Sequence, residues 1–167
     1  MGHLRKMSPR SKRIRSIRGQ NPLSAPPPNT LLHWPVDPLQ FPLTQLFGEN
    51  PQDYPLTNGH EGVDWGVPLG TPVFAVITWI KAEVSEEGAY GLHIILTHKD
   101  DLQSIYAHLS AVNNQVLEIG YQLPAIGYQL APIGYSGSSG RSTGPHLHLT
   151  LLYKGKPFDP LPYFIAR

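Results

Sequence analysis

From about Leu31 onward, the chain consists of short runs of apolar, β-branched and aromatic residues separated by Pro and Gly. The first clear run, Thr71–Ile80, is rich in Thr, Val, Ile and aromatic side chains, which fit a pleated sheet. A second apolar run covers Leu92–Thr97. Each run therefore predicts a β-strand.

Two further segments alternate between polar and apolar positions, which is the pattern of a strand with two different faces. Along Gln103–Ser110, one face carries Ser104, Tyr106 and His108. Along His146–Leu151 the alternation is cleaner, with His146, His148 and Thr150 on one face and three leucines on the other. Both segments predict strands, and each strand presents histidine on one face.

Helical periodicity is weak throughout the sequence. Its best instance is Leu109–Leu117, where Asn113 and Asn114 interrupt the apolar stripe. The 18 Pro and 16 Gly residues together exceed a fifth of the chain, which disfavours long helices and favours strands joined by turns. We therefore predict an all-β fold, mainly an antiparallel sheet, with few or no long helices.

A seven-residue repeat occupies Ile119–Tyr135, where the unit Ile-Gly-Tyr-Gln-Leu occurs twice and Ile-Gly-Tyr closes the series. Because Gly and Pro recur in it, the repeat cannot form a continuous helix. We predict short extended segments whose Ile and Leu side chains point inward and whose Tyr rings are partly exposed. The predicted turns lie near Gly120, Gly127 and Gly134.

The formal net charge of +1 conceals a basic first segment. Residues 1–20 contain seven Lys or Arg and no acid, and the rest of the chain holds six bases against twelve acids. We predict a basic, Pro-rich disordered tail or linker over residues 1–30 and one folded domain over residues 31–167. The tail alone would suit an acidic polymer, but the acidic balance of the domain opposes a specific nucleic-acid partner.

The chain contains no cysteine, which excludes a disulfide scaffold, a thiolate zinc finger, an iron–sulfur cluster and a cysteine nucleophile. No apolar window reaches the roughly 18 residues of a membrane span. No apolar signal-peptide core follows the basic start. We therefore expect no membrane span. The oligomeric state stays open, with a monomer favoured.

Histidine supplies the candidate chemistry. His60 and Asp64 are four residues apart, a spacing that places both on one face of a helix or of a strand. His146 and His148 share a face of their strand, and His108 lies on another strand. A hydrolytic zinc site needs three protein ligands, a base for the water and a donor for the developing oxyanion. These five residues suffice for that set, although a solvated sheet face can also carry two histidines without a role.

For His3, His33, His93 and His98 we expect an exposed or hydrogen-bonded side chain.

Four motifs occur in series along the domain. They are His60-x-Gly62-x-Asp64, Gly70-Thr71-Pro72-Val73-x-Ala75, Tyr106-Ala107-His108-Leu109 and Gly140-Arg141-Ser142-Thr143-Gly144-Pro145-His146-Leu147-His148. In content and in order they resemble the lysostaphin/LytM-type zinc metallopeptidases, over about Phe41 to Phe164. The resemblance implies a groove on an antiparallel sheet that holds one zinc ion. It also implies an endopeptidase that cuts peptidoglycan stems or cross-bridges through a metal-activated water, in the cell envelope, outside the cell or in a phage.

Position by position, the resemblance implies that His60, Asp64 and His148 ligate the zinc. His146 and His108 would flank the water as base and transition-state stabiliser, and Tyr54 is the candidate for steadying the oxyanion. One departure from the family pattern is Leu149-Thr150, which stands where Phe-Glu is more usual after the histidine pair.

The alternative is a non-catalytic member of the same family that binds peptidoglycan or regulates another hydrolase. Loss of a predicted zinc ligand or of His108 would indicate such a member, but the sequence retains all three ligands and His108. A carrier domain, which the repeat suggests, is disfavoured because no Lys lies at a hairpin tip among the repeat units. The sequence leaves open which bond of peptidoglycan would be cut.

Overall fold

The computed structural model of the protein describes residues 30–119 and 131–166. The predicted tail, apart from Thr30, lies outside the described residues, and so do the repeat units between Gly120 and Leu130. The division of the chain at residue 30 and the conformation of those repeat units therefore stay predictions.

Within the described residues, ten strands form two sheets. In chain order the strands are β1 Leu43–Gln45, β2 Val63–Trp65, β3 Pro72–Val73, β4 Lys81–Ser85, β5 His93–Thr97, β6 Leu102–Ala107, β7 Leu109–Val112, β8 Gly134–Ser136, β9 Leu147–Tyr153 and β10 Lys156–Phe158. The larger sheet has the order β1-β2-β9-β6-β5-β4, with β10 paired to β9, and the smaller sheet has the order β3-β8-β7.

All of these strand pairs are antiparallel. The described helices are the six-residue α1, Asn114–Ile119, and a 3-10 turn at Leu161–Tyr163. The predicted all-β, mainly antiparallel fold is therefore confirmed. Within the described residues, no helix has the length and hydropathy that crossing a lipid bilayer requires.

Strand β9 lies between β2 and β6 in the larger sheet and carries the centre of the core. Its residues Leu147, Leu149 and Leu151 have no solvent exposure. Burial of each leucine contributes about 1.5–3 kcal/mol to folding. His148 and Thr150 alternate with these leucines, so the opposite face of β9 is the one that carries polar side chains. The alternation predicted for His146–Leu151 is confirmed.

The predicted strand over Thr71–Ile80 is wrong beyond its first residues, because only Pro72–Val73 pair as a strand. The remainder is an irregular segment whose apolar side chains cover the core, and Val76 is fully buried. Its backbone bonds are non-repetitive: the His33 N–H donates to the Val76 carbonyl (2.7 Å) and the Phe74 N–H donates to the Pro35 carbonyl (2.9 Å). In this segment the β-branched residues indicate burial of their side chains and not pairing of the backbone with another strand.

The weak helical pattern at Leu109–Leu117 resolves into strand β7 followed by α1. Asn113 separates the two, because its side-chain oxygen accepts a hydrogen bond from the Val116 N–H (3.4 Å), as an N-cap does. Val116 and Leu117 then bury their side chains against the core. The residue that interrupts the apolar stripe is thus the residue that starts the helix.

The last unit of the repeat enters strand β8, so the turn predicted near Gly134 is wrong. Gly134 pairs with Val73 on one side and with Val112 on the other. A side chain there would meet the Ala111 carbonyl oxygen at 2.8 Å, so glycine permits the close approach of two strands. Ile133 is buried and Tyr135 is half-buried, as predicted for this unit.

A buried polar network ties the irregular segment to the larger sheet. The His98 Nδ1–H donates to the Thr78 carbonyl (2.7 Å), and its Nε2 is bonded to the Ser104 hydroxyl (2.8 Å). The Ser104 and Tyr106 hydroxyls lie 3.1 Å apart, and the Val76 N–H donates to the Tyr106 hydroxyl (2.8 Å). Burial lowers the pKa of His98, so the ring is neutral at pH 7. His98 therefore has a structural role.

Replacement of Tyr106 by Phe should destabilise the fold without changing its shape. The variant keeps the ring but leaves the buried Val76 N–H without its acceptor, which costs about 1–3 kcal/mol. Urea denaturation of the Tyr106→Phe variant measures this loss. The half-buried Tyr135 offers a matched control, and Tyr135→Phe should stay within about 0.5 kcal/mol of the parent. Equal stability of both variants would show that the network contributes nothing.

Candidate metal centre

The pairing of β2 with β9 places Asp64 directly opposite His148. Opposed residues on one face of an antiparallel pair have Cβ atoms about 4.5–5.5 Å apart. Their side chains therefore meet on the polar face of the sheet. His60 lies just before β2 and turns its ring onto the same two side chains, with 4.8 Å between the His60 and His148 ring centroids.

Three ligand-type atoms converge at this point. The His148 Nδ1 lies 2.7 Å from the Asp64 Oδ1, and the His60 Nε2 lies 3.0 Å from the His148 Nδ1 and 3.3 Å from the Asp64 Oδ1. The three residues are buried, with 3–8% of their surface exposed. The structure thus brings together the His60, Asp64 and His148 that the sequence predicts as ligands.

The outward ring nitrogens of both histidines have their own partners. The His60 Nδ1 lies 3.2 Å from the Leu46 carbonyl, which can only accept, so this nitrogen carries the proton and Nε2 presents a lone pair to the cluster. The His148 Nε2 is bonded to the Thr150 hydroxyl (2.8 Å), which leaves Nδ1 facing Asp64. Two imidazole nitrogens and a carboxylate, each oriented by an outer partner, fit the donor set of a zinc site.

Electrostatics favours the metal-binding forms of these side chains. Burial by itself would raise the pKa of Asp64, but the His148 and His60 nitrogens that face the carboxylate hold that pKa well below its usual range. Burial lowers the pKa of His148. A carboxylate and a neutral imidazole are the forms in which these residues bind metals.

His108 reaches the site through a left-handed backbone, with φ at +60°. Ala107 pairs with His148, so strict alternation would turn the side chain of His108 to the opposite face, away from the site. The alternation in the sequence placed His108 on the face of Tyr106, and this assignment of its face is wrong. The positive φ brings the His108 ring to the side of His148, with their centroids 5.9 Å apart, and the His146 ring lies 4.6 Å from it.

His108 and His146 both use Nδ1 to bind a backbone carbonyl. The His108 Nδ1–H donates to Ser139 and the His146 Nδ1–H donates to Gly144, each over 2.8 Å. In the neutral rings, Nε2 is therefore the free proton acceptor. The His146 Nε2 lies 4.0 Å from the Asp64 Oδ2. Burial lowers the pKa of His108 to about 4, although its bond to Ser139 opposes the shift, so this ring is neutral at pH 7.

All of these side chains line one open groove with a volume of about 1010 Å³. Tyr54 lies on its wall, with its ring centroid 5.4 Å from that of His60. The Tyr54 hydroxyl donates to the Gln45 Oε1 over 3.4 Å. The predicted oxyanion residue is thus beside the cluster. The groove also contains Arg141 and Glu61, so both charge signs line it.

Two further residues contact the cluster without having been assigned a role from the sequence. Thr150 bonds the His148 Nε2, and the Tyr90 ring stacks on the His148 ring with centroids 5.5 Å apart and planes 30° apart. The alternation along β9 places Thr150 on the same face as His148, so the sequence pattern alone could have predicted that Thr150 lies beside the site. Tyr90 precedes β5 in a turn, and no local pattern points to it.

Gly62 permits the close approach of β2 to β9. A Cβ atom at this position would overlap the Leu149 carbonyl oxygen and would lie 2.8 Å from the His148 Cε1. The glycine between His60 and Asp64 is therefore required by the packing of the site rather than by backbone flexibility.

Comparison with known proteins yields the same fold and the same site-bearing region. The sequence model of "Peptidase family M23" matches residues 58–160. The "DD-carboxypeptidase/endopeptidase Mpg" of Neisseria meningitidis serogroup B is 36% identical over 102 residues, which are 61% of this chain and 22% of that protein. The "Peptidoglycan DD-endopeptidase ShyA" of Vibrio cholerae is 31% identical over 105 residues, with the same coverage of 61% and 22%. The chain thus spans about a fifth of the length of these relatives.

Solved structures confirm the predicted lysostaphin/LytM-like fold. The catalytic domain of the antimicrobial peptidase lysostaphin from Staphylococcus simulans superimposes with a TM-score of 0.57 at 28% identity, over 75% of this chain and 92% of that one. A zinc-containing peptidase from Vibrio cholerae superimposes with a TM-score of 0.59 at 26% identity, over 82% of this chain and 40% of that one.

Replacement of Gly62 by Ala should destabilise the protein. The added methyl group collides with the backbone of β9 and with the His148 ring, and overpacking of this kind costs about 1–3 kcal/mol. Gly144→Ala is the matched control, because a Cβ atom there meets nothing within 4 Å. Thermal unfolding of the two variants measures the difference. A Gly62→Ala variant as stable as the control would contradict the tight β2–β9 contact.

Proposed function

Because the chain belongs to peptidase family M23, we propose that it is a zinc-dependent endopeptidase that hydrolyses peptide bonds in peptidoglycan. The observation that carries this proposal is the convergence of His60, Asp64 and His148 on one point of a groove that His108 and His146 also line. The family match extends over all five of these residues.

His60 through Nε2, His148 through Nδ1 and Asp64 through a carboxylate oxygen would hold one zinc ion per chain. Zinc bound by three protein ligands acts as a Lewis acid and lowers the pKa of a coordinated water. The Asp64 carboxylate would partly neutralise the charge of the ion. Because all three ligands are buried, little bulk water would screen the remaining charge.

His108 and His146 would move the protons of the reaction. Hydrolysis joins the water oxygen to the carbonyl carbon, breaks the C–N bond and returns a proton to the leaving amine. Each ring has its Nδ1–H bound to a carbonyl and its Nε2 free, so a ring can accept the water proton at Nε2. The ring that has accepted this proton is a cation, which can stabilise the developing oxyanion and then return the proton to the leaving amine. The lowered pKa of His108 keeps it in the accepting form at neutral pH.

Tyr54 would add a donor to the oxyanion from the wall of the groove beside His60. Its hydroxyl donates a long hydrogen bond of 3.4 Å to the Gln45 Oε1, and a rotation of the O–H bond can direct the same proton at a substrate. This role makes Tyr54 an electrostatic stabiliser, with a smaller contribution than the two histidines.

The substrate class follows from the groove and the relatives together. The groove is open and large, which suits an extended peptide rather than a small enclosed ligand. Relatives named as peptidoglycan DD-endopeptidases and lysostaphin favour the peptide part of the cell wall as the target. The activity would therefore be exerted in the cell envelope, outside the cell or in a phage.

The zinc assignment predicts one equivalent of zinc per chain in the purified protein. A double variant, Asp64→Ala with His148→Ala, should lose the metal because only one predicted ligand remains. Metal analysis by mass spectrometry measures the content. Asp53→Ala is the matched control, since Asp53 lines the same groove outside the cluster and should leave the zinc content unchanged. Full occupancy in the double variant would overturn the assignment.

The catalytic assignment predicts that His108→Ala and His146→Ala variants keep zinc but lose peptidase activity by about 100-fold or more. Release of peptides from purified cell walls, followed by mass spectrometry, measures the rate and identifies the bond cut. His33→Ala, a half-buried histidine outside the groove, should be fully active. If the parent protein holds zinc and binds cell walls but releases no peptide, it is a non-catalytic family member.

A further inference from the structure

Arg141 lies on a loop that is tied closely to the wall of the groove. Its backbone N–H donates to the Ala89 carbonyl (2.8 Å), and both residues line the groove. Gly140, just before it, has a φ of +67°, and a Cβ atom there would overlap the backbone of Gly91. The backbone that carries the arginine is therefore held in place, while the side chain itself is exposed.

The same loop holds both candidate proton-transfer groups. The Ser139 carbonyl accepts the hydrogen bond from the His108 Nδ1–H (2.8 Å), and the Ser142 hydroxyl lies 3.2 Å from the His146 Nδ1. Arg141 stands between these two serines in the chain. A peptide whose scissile bond lies at the two histidines therefore passes close to Arg141.

The charge of Arg141 has no counterpart in the protein. Within the part of the chain that the structure describes, Arg141 is the sole arginine and the sole Lys or Arg that lines the groove. Asp53, Glu61 and Asp64 line the same groove, but no described carboxylate lies within salt-bridge distance of the guanidinium. Its N–H donors are therefore available to an anionic ligand.

We propose that Arg141 determines substrate specificity by binding a free carboxylate of the peptide close to the bond that is cut. The proposal rests on the peptidase activity of the proposed function. A guanidinium stays charged and can form two parallel hydrogen bonds to one carboxylate. The free anionic groups of a peptide are carboxylates, either on an acidic side chain or at the C-terminus. A carboxylate is therefore the group that this arginine suits.

The groove then selects its substrate by charge as well as by shape. Asp53 and Glu61 would repel a carboxylate placed near them, which confines the favourable position to the wall that carries Arg141. A neutral peptide, such as a run of glycine, would lack the contact and would be cut more slowly.

The decisive experiment compares free and amidated substrates. Soluble cross-linked peptides are prepared from purified cell walls, and in one portion the carboxylates are converted to amides with ammonia and a carbodiimide. On the free peptides, kcat/KM should fall about 10-fold in Arg141→Gln, as expected for the loss of one charged hydrogen-bonded contact. Arg141→Lys, which keeps the charge without the paired donors, should lose less. On the amidated peptides, the parent and Arg141→Gln should be equal.

Two controls separate recognition of the carboxylate from other effects. Lys99→Gln removes an exposed cation outside the groove and should match the parent on both substrates. The zinc content of Arg141→Gln should equal that of the parent, because Arg141 is not part of the metal cluster.

Synthetic forms of the cleaved peptide identify the source of the carboxylate. One form is amidated only at its C-terminus and the other only at its acidic side chain. The form on which the parent is as slow as Arg141→Gln contains the amide at the position that Arg141 recognises. Full parental activity on both forms would overturn the contact.

The outcomes distinguish this inference from the proposed function. If the parent cuts the free peptides and Arg141→Gln cuts them equally fast, or loses the same factor on the amidated peptides, the carboxylate contact is overturned and the peptidase stands. If the parent cuts nothing, the proposed function fails. Binding of the free and amidated peptides to the parent and to Arg141→Gln, measured by calorimetry, then decides whether Arg141 recognises a carboxylate.

Discussion

The register of the antiparallel pair β2–β9 is the constraint on which the rest of the site depends. It sets Asp64 opposite His148 and buries Leu147 and Leu149 on the other face of the same strand. A slip by one residue would exchange the two faces of β9, so the core leucines and the candidate ligands specify the same register. Gly62 lets the two backbones come close enough for this pairing to bring the ligand atoms within hydrogen-bonding distance.

The left-handed residue His108 lies where the chain passes from the larger sheet to the smaller one. Strand β6 belongs to the first sheet and β7 to the second, and the positive φ lies between them. A non-glycine residue in this region costs conformational energy, which here is compensated by bonds from the His108 N–H to Tyr90 (2.9 Å) and from the ring to Ser139 (2.8 Å). The same backbone conformation at His108 therefore moves the chain from one sheet to the other and places a candidate catalytic ring in the site.

Outer partners bound to four histidine rings determine the chemistry that the site can support. Carbonyl groups of Leu46, Ser139 and Gly144 accept from His60, His108 and His146, and the Thr150 hydroxyl holds His148. Because carbonyl oxygens cannot donate, the proton of each of those three rings in its neutral form lies on the bonded nitrogen, and the other nitrogen carries a lone pair. The loops that supply these carbonyls therefore preorganise the site, although their side chains take no part in it.

The sequence by itself determined the fold class, the strands around Leu92–Thr97 and His146–Leu151, and the five polar residues of the candidate site, because alternation and motif spacing are local properties. It misjudged Thr71–Ile80, since apolar β-branched residues bury equally well in a covering segment and in a strand. It placed His108 on the wrong face, because a single positive φ leaves no trace in an alternating pattern. Only the tertiary structure decided the tautomers, the contact of Tyr90 with His148 and the close approach at Gly62, since each depends on residues from distant parts of the chain.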